Sequence, residues 1–165
     1  MTDKERDLLK QIDESFCRAN GDALPCPPGV TNLYKWLDEE APYSILAHNG
    51  GDDPHFIYAN QYALSCFKYT KEEMLALPSR LSAAEKDRKA REELLETVKK
   101  DGIAYDYSGP RVDKDGNTFN IYDGIVWELR HEDGTVWGQG ALFWTEKGNQ
   151  PRWYLDHIHK KDNKK

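Results

Sequence analysis

The stretch Phe119-Asn120-Ile121-Tyr122-Asp123-Gly124-Ile125-Val126-Trp127-Glu128-Leu129 lies between two Asp-Gly pairs, Asp115-Gly116 and Asp133-Gly134. An Asp-Gly pair flanked by apolar or aromatic runs signals a tight hairpin, since its backbone tolerates the positive φ angles such turns need. The outer flanks are Ile103 to Val112 and Val136 to Trp144. Three consecutive strands joined by two tight turns make an antiparallel meander. Alternate residues of a strand share a face. In the central strand one face then carries Phe119, Ile121, Asp123, Ile125, Trp127 and Leu129, with Asp123 the lone charge in an apolar stripe.

Upstream of the meander the pattern becomes helical. Ser82 and Glu85 have capping-box spacing and open a long helix, Ala83 to Asp101, with Leu94, Leu95 and Val98 on its buried side. Its charges pair at i,i+4 on a solvated face, and Gly102 ends it. Thr70 and Glu73 form another box before Met74, Leu75 and Leu77, and Asn60 caps a short helix carrying Ala63, Leu64 and Phe67. Tyr43 to His48 and His55 to Ala59 read as two short strands around the turn Asn49-Gly50-Gly51-Asp52-Asp53-Pro54. The order is strand, strand, three helical pieces, three strands. It predicts an α+β fold, a five-stranded antiparallel sheet with helices on one face.

Residues 1–40 read as a helical extension. Thr2 and Glu5 box a first helix whose Leu8, Leu9, Ile12 and Phe16 form one apolar stripe. That stripe either packs back on the sheet or joins a second copy in a homodimer. Leu24-Pro25-Cys26-Pro27-Pro28-Gly29 is a stiff connector, and a short helix, Thr31 to Glu39, follows. The expected organisation is an extension over 1–40, a domain over 41–146 and a tail over 147–165.

Composition narrows the function. The 165 residues carry 29 Asp+Glu against 23 Lys+Arg, a net charge of -6, which argues against general nucleic-acid binding. No uncharged run approaches a membrane span, and the charged start Met1-Thr2-Asp3-Lys4-Glu5-Arg6 lacks the apolar core of a signal peptide, so a cytoplasmic protein is expected. Cys17, Cys26 and Cys66 are too widely spaced for a disulfide framework or a CxxC metal pair and read as free thiols. His157 and His159 lack a third metal ligand at helical or turn spacing. No Ser-His-Asp order, HExxH, P-loop or GxGxxG is present.

Several segments carry a resemblance. Ile57-Tyr58-Ala59-Asn60, a short helix and Tyr69-Thr70-Lys71-Glu72-Glu73-Met74-Leu75 resemble the first half of a PAS domain, and the two Asp-Gly hairpins its second half. Pro42-Tyr43-Ser44-Ile45-Leu46-Ala47-His48, Leu77-Pro78-Ser79-Arg80-Leu81-Ser82-Ala83, Asp106-Tyr107-Ser108-Gly109-Pro110-Arg111 and Ile125-Val126-Trp127 resemble the MEKHLA domain. This PAS-like family occurs in plant transcription regulators and stand-alone microbial proteins. The resemblance spans residues 40 to 145. It implies a sensory or regulatory domain that binds a small molecule between sheet and helices and signals through a protein partner or self-association.

Seven residues are the expected ligand contacts: Arg80, Tyr107, Ser108, Arg111, Asp123, Trp127 and Gln139. Three readings stay open for Asp123. A carboxylate facing a core needs a cation or several donors, so it forms a structural ion pair with Arg80 or Arg111, or anchors a ligand. A bulge at Gly124 would instead flip the register and leave it in solvent. Gln139 shares a face with Trp137, Ala141 and Phe143, and its amide can both donate to and accept from a ligand edge. Tyr107 and Ser108 are expected beside Trp127. The surroundings Leu64-Ser65-Cys66-Phe67-Lys68 lack the Asn-Cys-Arg-Phe-Leu-Gln run of light-sensing flavin domains, which argues against a photoactive flavin. Cys26-Pro27 matches the minimal haem signal but is explained by the connector. The cofactor is therefore left as an unidentified small organic ligand. Two alternatives remain: a ligand-free interaction module whose core is filled by Trp127, Phe119 and Phe143, or an enzyme using Asp123 or His48 as base. The sensory reading depends on rings of the central strand pointing inward around a hollow with one anionic anchor.

Overall fold

A computed structural model of the chain describes residues 1–82 and 88–159, without the side chains of Arg80, Arg88 and Arg91. The Ser82/Glu85 box, the helix start at Ala83 and the tail from Lys160 lie outside the described residues. The elements are α1 (Asp3–Asn20), α2 (Leu33–Glu39), β1 (Ser44–Asn49), β2 (Phe56–Ala59), α3 (Gln61–Phe67), α4 (Lys71–Leu75), a 3-10 turn (Ser79–Ser82), α5 (Arg88–Asp101), β3 (Ile103–Val112), β4 (Thr118–Arg130), β5 (Val136–Trp144) and α6 (Arg152–Leu155). The five antiparallel strands run in the order β2-β1-β5-β4-β3, so the predicted meander is extended by β1 pairing beside β5. Capping explains several helix starts. Glu5 N–H donates to Thr2 Oγ1 and Glu73 N–H to Thr70 Oγ1, each at 3.1–3.2 Å, and both boxes close reciprocally.

Asn60 is the main polar rivet. Its Oδ1 accepts from Ala63 N–H at 3.0 Å, capping α3, and from Ile45 N–H at 3.1 Å. Its Nδ2 donates to the carbonyls of Leu37 and Tyr43. One fully buried amide thus ties α2, β1 and α3 together with every polar atom satisfied.

The two faces of the sheet are covered differently. On one face lie α3, α4 and α5: Leu46, Phe56, Phe67, Met74, Tyr107, Ile121 and Phe143 form one cluster, and Val98, Ala104 and Val126 another. The other face is sealed by the N-terminal segment. Leu9, Ile12 and Phe16 of α1 are fully buried against Ile125, Trp127 and Leu129. The stripe thus packs back on the sheet of its own chain and leaves no apolar face for a dimer through α1. Helix α1 also pairs polar groups with the end of β4: Arg130 N–H donates to Ser15 Oγ at 3.1 Å, and Arg18 Nη2 donates to the Arg130 carbonyl at 2.9 Å. The C-terminal segment closes the same face, where Trp153 and Tyr154 pack on Trp36, Tyr43 and Trp144. Four residues were too few for α6 to show a helical period in the sequence.

The central strand does not alternate as expected. Ile121 and Ile125 face opposite sides of the sheet, in different clusters. The cause is a bulge. The register with β5 shifts between Tyr122 and Ile125, and Asp123 takes φ +52°. Strand β3 bulges beside it: its register with β4 shifts between Ala104 and Tyr107, and Asp106 takes φ +61°. One extra residue in a strand exchanges the faces of everything beyond it. Aspartate is one of the few residues that enters the left-handed region routinely. Tyr105 and Tyr107 are parted in the same way. The hydroxyl of Tyr105 donates to Asn20 of α1 at 2.9 Å, while Tyr107 lies on the opposite face, in the cluster with Leu46, Ile121 and Phe143.

Candidate functional site

A cavity of about 550 Å³ opens on the α3–α5 face. Its floor is the sheet row Leu46, Ala141 and Val126, which are cross-strand neighbours. Phe56, Ile121 and Phe143 extend the apolar wall, and Leu94 and Leu95 of α5 stand above it. Leu95, expected inside, is 40% exposed and belongs to the rim. Ser79 and Ser82 line one side, with the Ser82 hydroxyl committed to the Ser79 carbonyl at 2.7 Å.

The polar lining gathers at two ends. At one, His48 and Gln139 are cross-strand partners, with Glu128 opposite Gln139 on its other side. His48 Nδ1 lies 2.8 Å from the Asn49 carbonyl. The Gln139 amide has no hydrogen-bond partner among the described residues. At the other end the Arg111 guanidinium lies over the Tyr107 ring, 5.2 Å from its centroid, and donates to the Tyr107 hydroxyl at 3.1 Å and the Pro110 carbonyl at 2.8 Å. Gly124 permits this arrangement: a Cβ there would come within 2.9 Å of the Tyr107 carbonyl oxygen.

Of the seven expected contacts, Tyr107, Arg111 and Gln139 line this cavity. Three do not. Trp127 points to the opposite face, where its ring meets Phe16 edge-on at 4.7 Å and its Nε1 donates to the Ile12 carbonyl at 3.3 Å. Asp123 sits on the bulge outside the cavity, half-buried, and accepts from Gln150 Nε2 at 2.7 Å rather than pairing with Arg111. Of the three readings of this residue, the bulge holds, with an amide partner in place of bare solvent. Asp123 is therefore not the anchor of this cavity, whose described lining carries Arg111 as well as Asp52 and Asp53. Ser108 lies in a separate groove between α5 and β3. The side chain of Arg80 lies outside the described residues. The cavity wall from Leu46, Phe56 and Leu94 had no sequence signal apart from ordinary core periodicity. Ser79 and Ser82 belong to the Leu-Pro-Ser-Arg-Leu-Ser-Ala run.

Cys66 does not line the cavity, and burial pushes its thiol up to about 11, far from a thiolate at neutral pH. All three cysteines are free. Among the described residues no group of three or more His, Cys, Asp or Glu is arranged to hold a metal ion, and no helix is long and apolar enough to cross a membrane.

The family model of the MEKHLA domain matches residues 6–146. The chain belongs to the MEKHLA domain family. The match begins inside α1, so the two N-terminal helices fall within it. Solved structures place this MEKHLA chain in the PAS fold. The PAS domain of a protein from Colwellia psychrerythraea superposes with a TM-score of 0.61 at 16% identity, over 69% of this chain and 93% of that one. A light-oxygen-voltage domain studied with a flavin analogue gives 0.59 at 21%, over 75% and 91%. The dark structure of the blue-light photoreceptor Aureochrome1 LOV gives 0.56 at 16%, over 79% and 94%. At these identities the likeness concerns the fold alone. No curated protein matches the chain.

Proposed function

We propose that this MEKHLA domain is a sensory module that binds a small organic molecule between the sheet and the helical layer, beside the 3-10 turn and α5, and reports its occupancy to a protein partner. The cavity supports this reading most directly: about 550 Å³, largely apolar, with a few polar groups at its ends, is the size and make-up of a small-molecule site. The relay follows from β5. Gln139 and Ala141 line the cavity, and between them Gly140 backs onto Trp127 so closely that a Cβ would fall 2.6 Å from the ring. Trp127 in turn holds α1 through Phe16 and Ile12. A ligand that shifts β5 therefore moves the support of α1. In this reading residues 41–146 form the sensing body and residues 1–40 its relay.

A thermal-shift screen of the purified full chain against a metabolite panel tests it. A ligand that raises Tm in the wild type and loses its effect in Ala141→Leu, where the added side chain enters the cavity, is the expected result. A panel with no shift for any compound, or shifts that Ala141→Leu leaves intact, contradicts it.

A further inference from the structure

The Gln139 amide reaches the cavity with its hydrogen bonds unspent: it has no partner among the described residues. Its placement is fixed by register. Strand β5 pairs with β1 without a shift from Gln139 to Phe143, so Gln139, Ala141 and Phe143 share the cavity face. Successive residues of this row stand about 7 Å apart. The small Ala141 leaves room over the floor, and the Phe143 ring bounds the row. An amide donates through Nε2 and accepts through Oε1, so its full complement is an edge with one donor beside one acceptor. A carboxylate offers only acceptors and an ammonium only donors. Charge is disfavoured on separate grounds. A ligand beside Gln139 lies among Leu46, Phe56, Val126 and Phe143, where an unpaired charge is costly. The Arg111 guanidinium is already engaged with the Tyr107 hydroxyl and the Pro110 carbonyl. Asp52 stands on the exposed β1–β2 loop, where solvent screens it.

We propose, building on the ligand-binding reading above, that the cavity selects an uncharged ring compound with a lactam or primary-carboxamide edge. Its N–H donates to Gln139 Oε1, its carbonyl accepts from Gln139 Nε2, and its rings lie over Ala141 toward Phe143. The two bonds close together only when donor and acceptor are cis, as they are in a lactam ring or a primary carboxamide.

Ligand-observed NMR titration of the full chain with four two-ring probes tests the class. Carbostyril carries the lactam edge. Coumarin has the same shape and carbonyl, with a ring oxygen in place of the N–H. Naphthoate and naphthylmethylammonium put a charge of either sign on two rings. The wild type is expected to bind carbostyril about tenfold tighter than coumarin, the value of one donor–acceptor pair left unmade, and tighter than either ion. Gln139→Leu should bring carbostyril and coumarin to the same affinity, and Ala141→Leu should weaken every probe that binds. If coumarin or either ion binds the wild type as tightly as carbostyril, or if Gln139→Leu keeps the preference, the lactam edge is wrong, while weakened binding to Ala141→Leu leaves the cavity standing. If no probe binds the wild type, or all bind Ala141→Leu equally well, the ligand-binding reading fails and takes the proposal with it. The comparison of probes in the wild type needs no variant. If far-ultraviolet circular dichroism shows Gln139→Leu misfolded, Gln139→Met makes the same comparison.

Discussion

The two faces of one sheet are built from similar residues and end in opposite states. On the α1 face Trp127, Phe16, Leu9 and Ile12 are fully buried and interlock. On the α3–α5 face Leu46, Ala141 and Val126 form a floor above which space remains. The difference lies in side-chain size along two rows. Strand β5 presents Leu142 and Trp144 to the sealed face but Gln139, Ala141 and Phe143 to the cavity, where only Phe143 is large. The bulges at Asp106 and Asp123 distribute the large rings of β3 and β4 between the faces, sending Trp127 one way and Tyr107 the other. Sealing one face with large apolar side chains supplies the stability that allows the other to stay open.

The most severe way to break this contrast is to delete Asp123. Removing the extra residue exchanges the faces of Ile121 or of Ile125, Trp127 and Leu129. Loss of cooperative unfolding, followed by circular dichroism in denaturant, is expected; a native-like transition would show that the bulge does not set the faces. Next comes Trp127→Ala, which empties the centre of the sealed face and should cost about 3–5 kcal/mol in urea unfolding. A loss under about 1 kcal/mol would mean that α1 is not anchored there.

A matched pair sharpens the contrast. Ala47→Leu on the sealed face forces a well-packed core and should cost about 1–3 kcal/mol. Ala141→Leu enters open space and should change stability by less than about 1 kcal/mol. Equal losses would mean that the two faces are equally packed.

The smallest expected effect concerns Asp13, which is buried and accepts from Leu24 N–H at 2.8 Å. Burial holds its carboxyl above the ordinary value. A raised folded-state value means that the folded chain binds the proton more tightly than the unfolded one. Its stabilising share is therefore present at acid pH and lost as pH rises through the raised value. Asp13→Asn keeps the acceptor and removes the charge. It should gain less than about 1 kcal/mol at pH 7 and nothing at acid pH, as read by calorimetry at both.

Much of the fold was legible because the signals were local. Thr2/Glu5, Asn60 and Thr70/Glu73 announced helix starts, and Asp115-Gly116 and Asp133-Gly134 announced the hairpins. The placement of β1 beside β5 was not legible, since a long-range pairing leaves no local mark. Site residues divided on the same line. Tyr107, Arg111 and Gln139 line the cavity, whereas strict alternation put Trp127 and Asp123 together on one inner face. A single aspartate at φ +52° breaks that alternation, as the bulged reading of Asp123 allowed. The run Tyr122-Asp123-Gly124 contains the residues a bulge prefers, but a bulge and a continuous strand share that composition.

The central claim is that the open face holds a small molecule. Native mass spectrometry of the full chain freshly purified from cells, run beside Ala141→Leu, tests it most directly. The account predicts a non-covalent adduct of a few hundred daltons on the wild type, absent from the variant. Identical spectra for the two proteins, both bare or both carrying the same adduct, would contradict it.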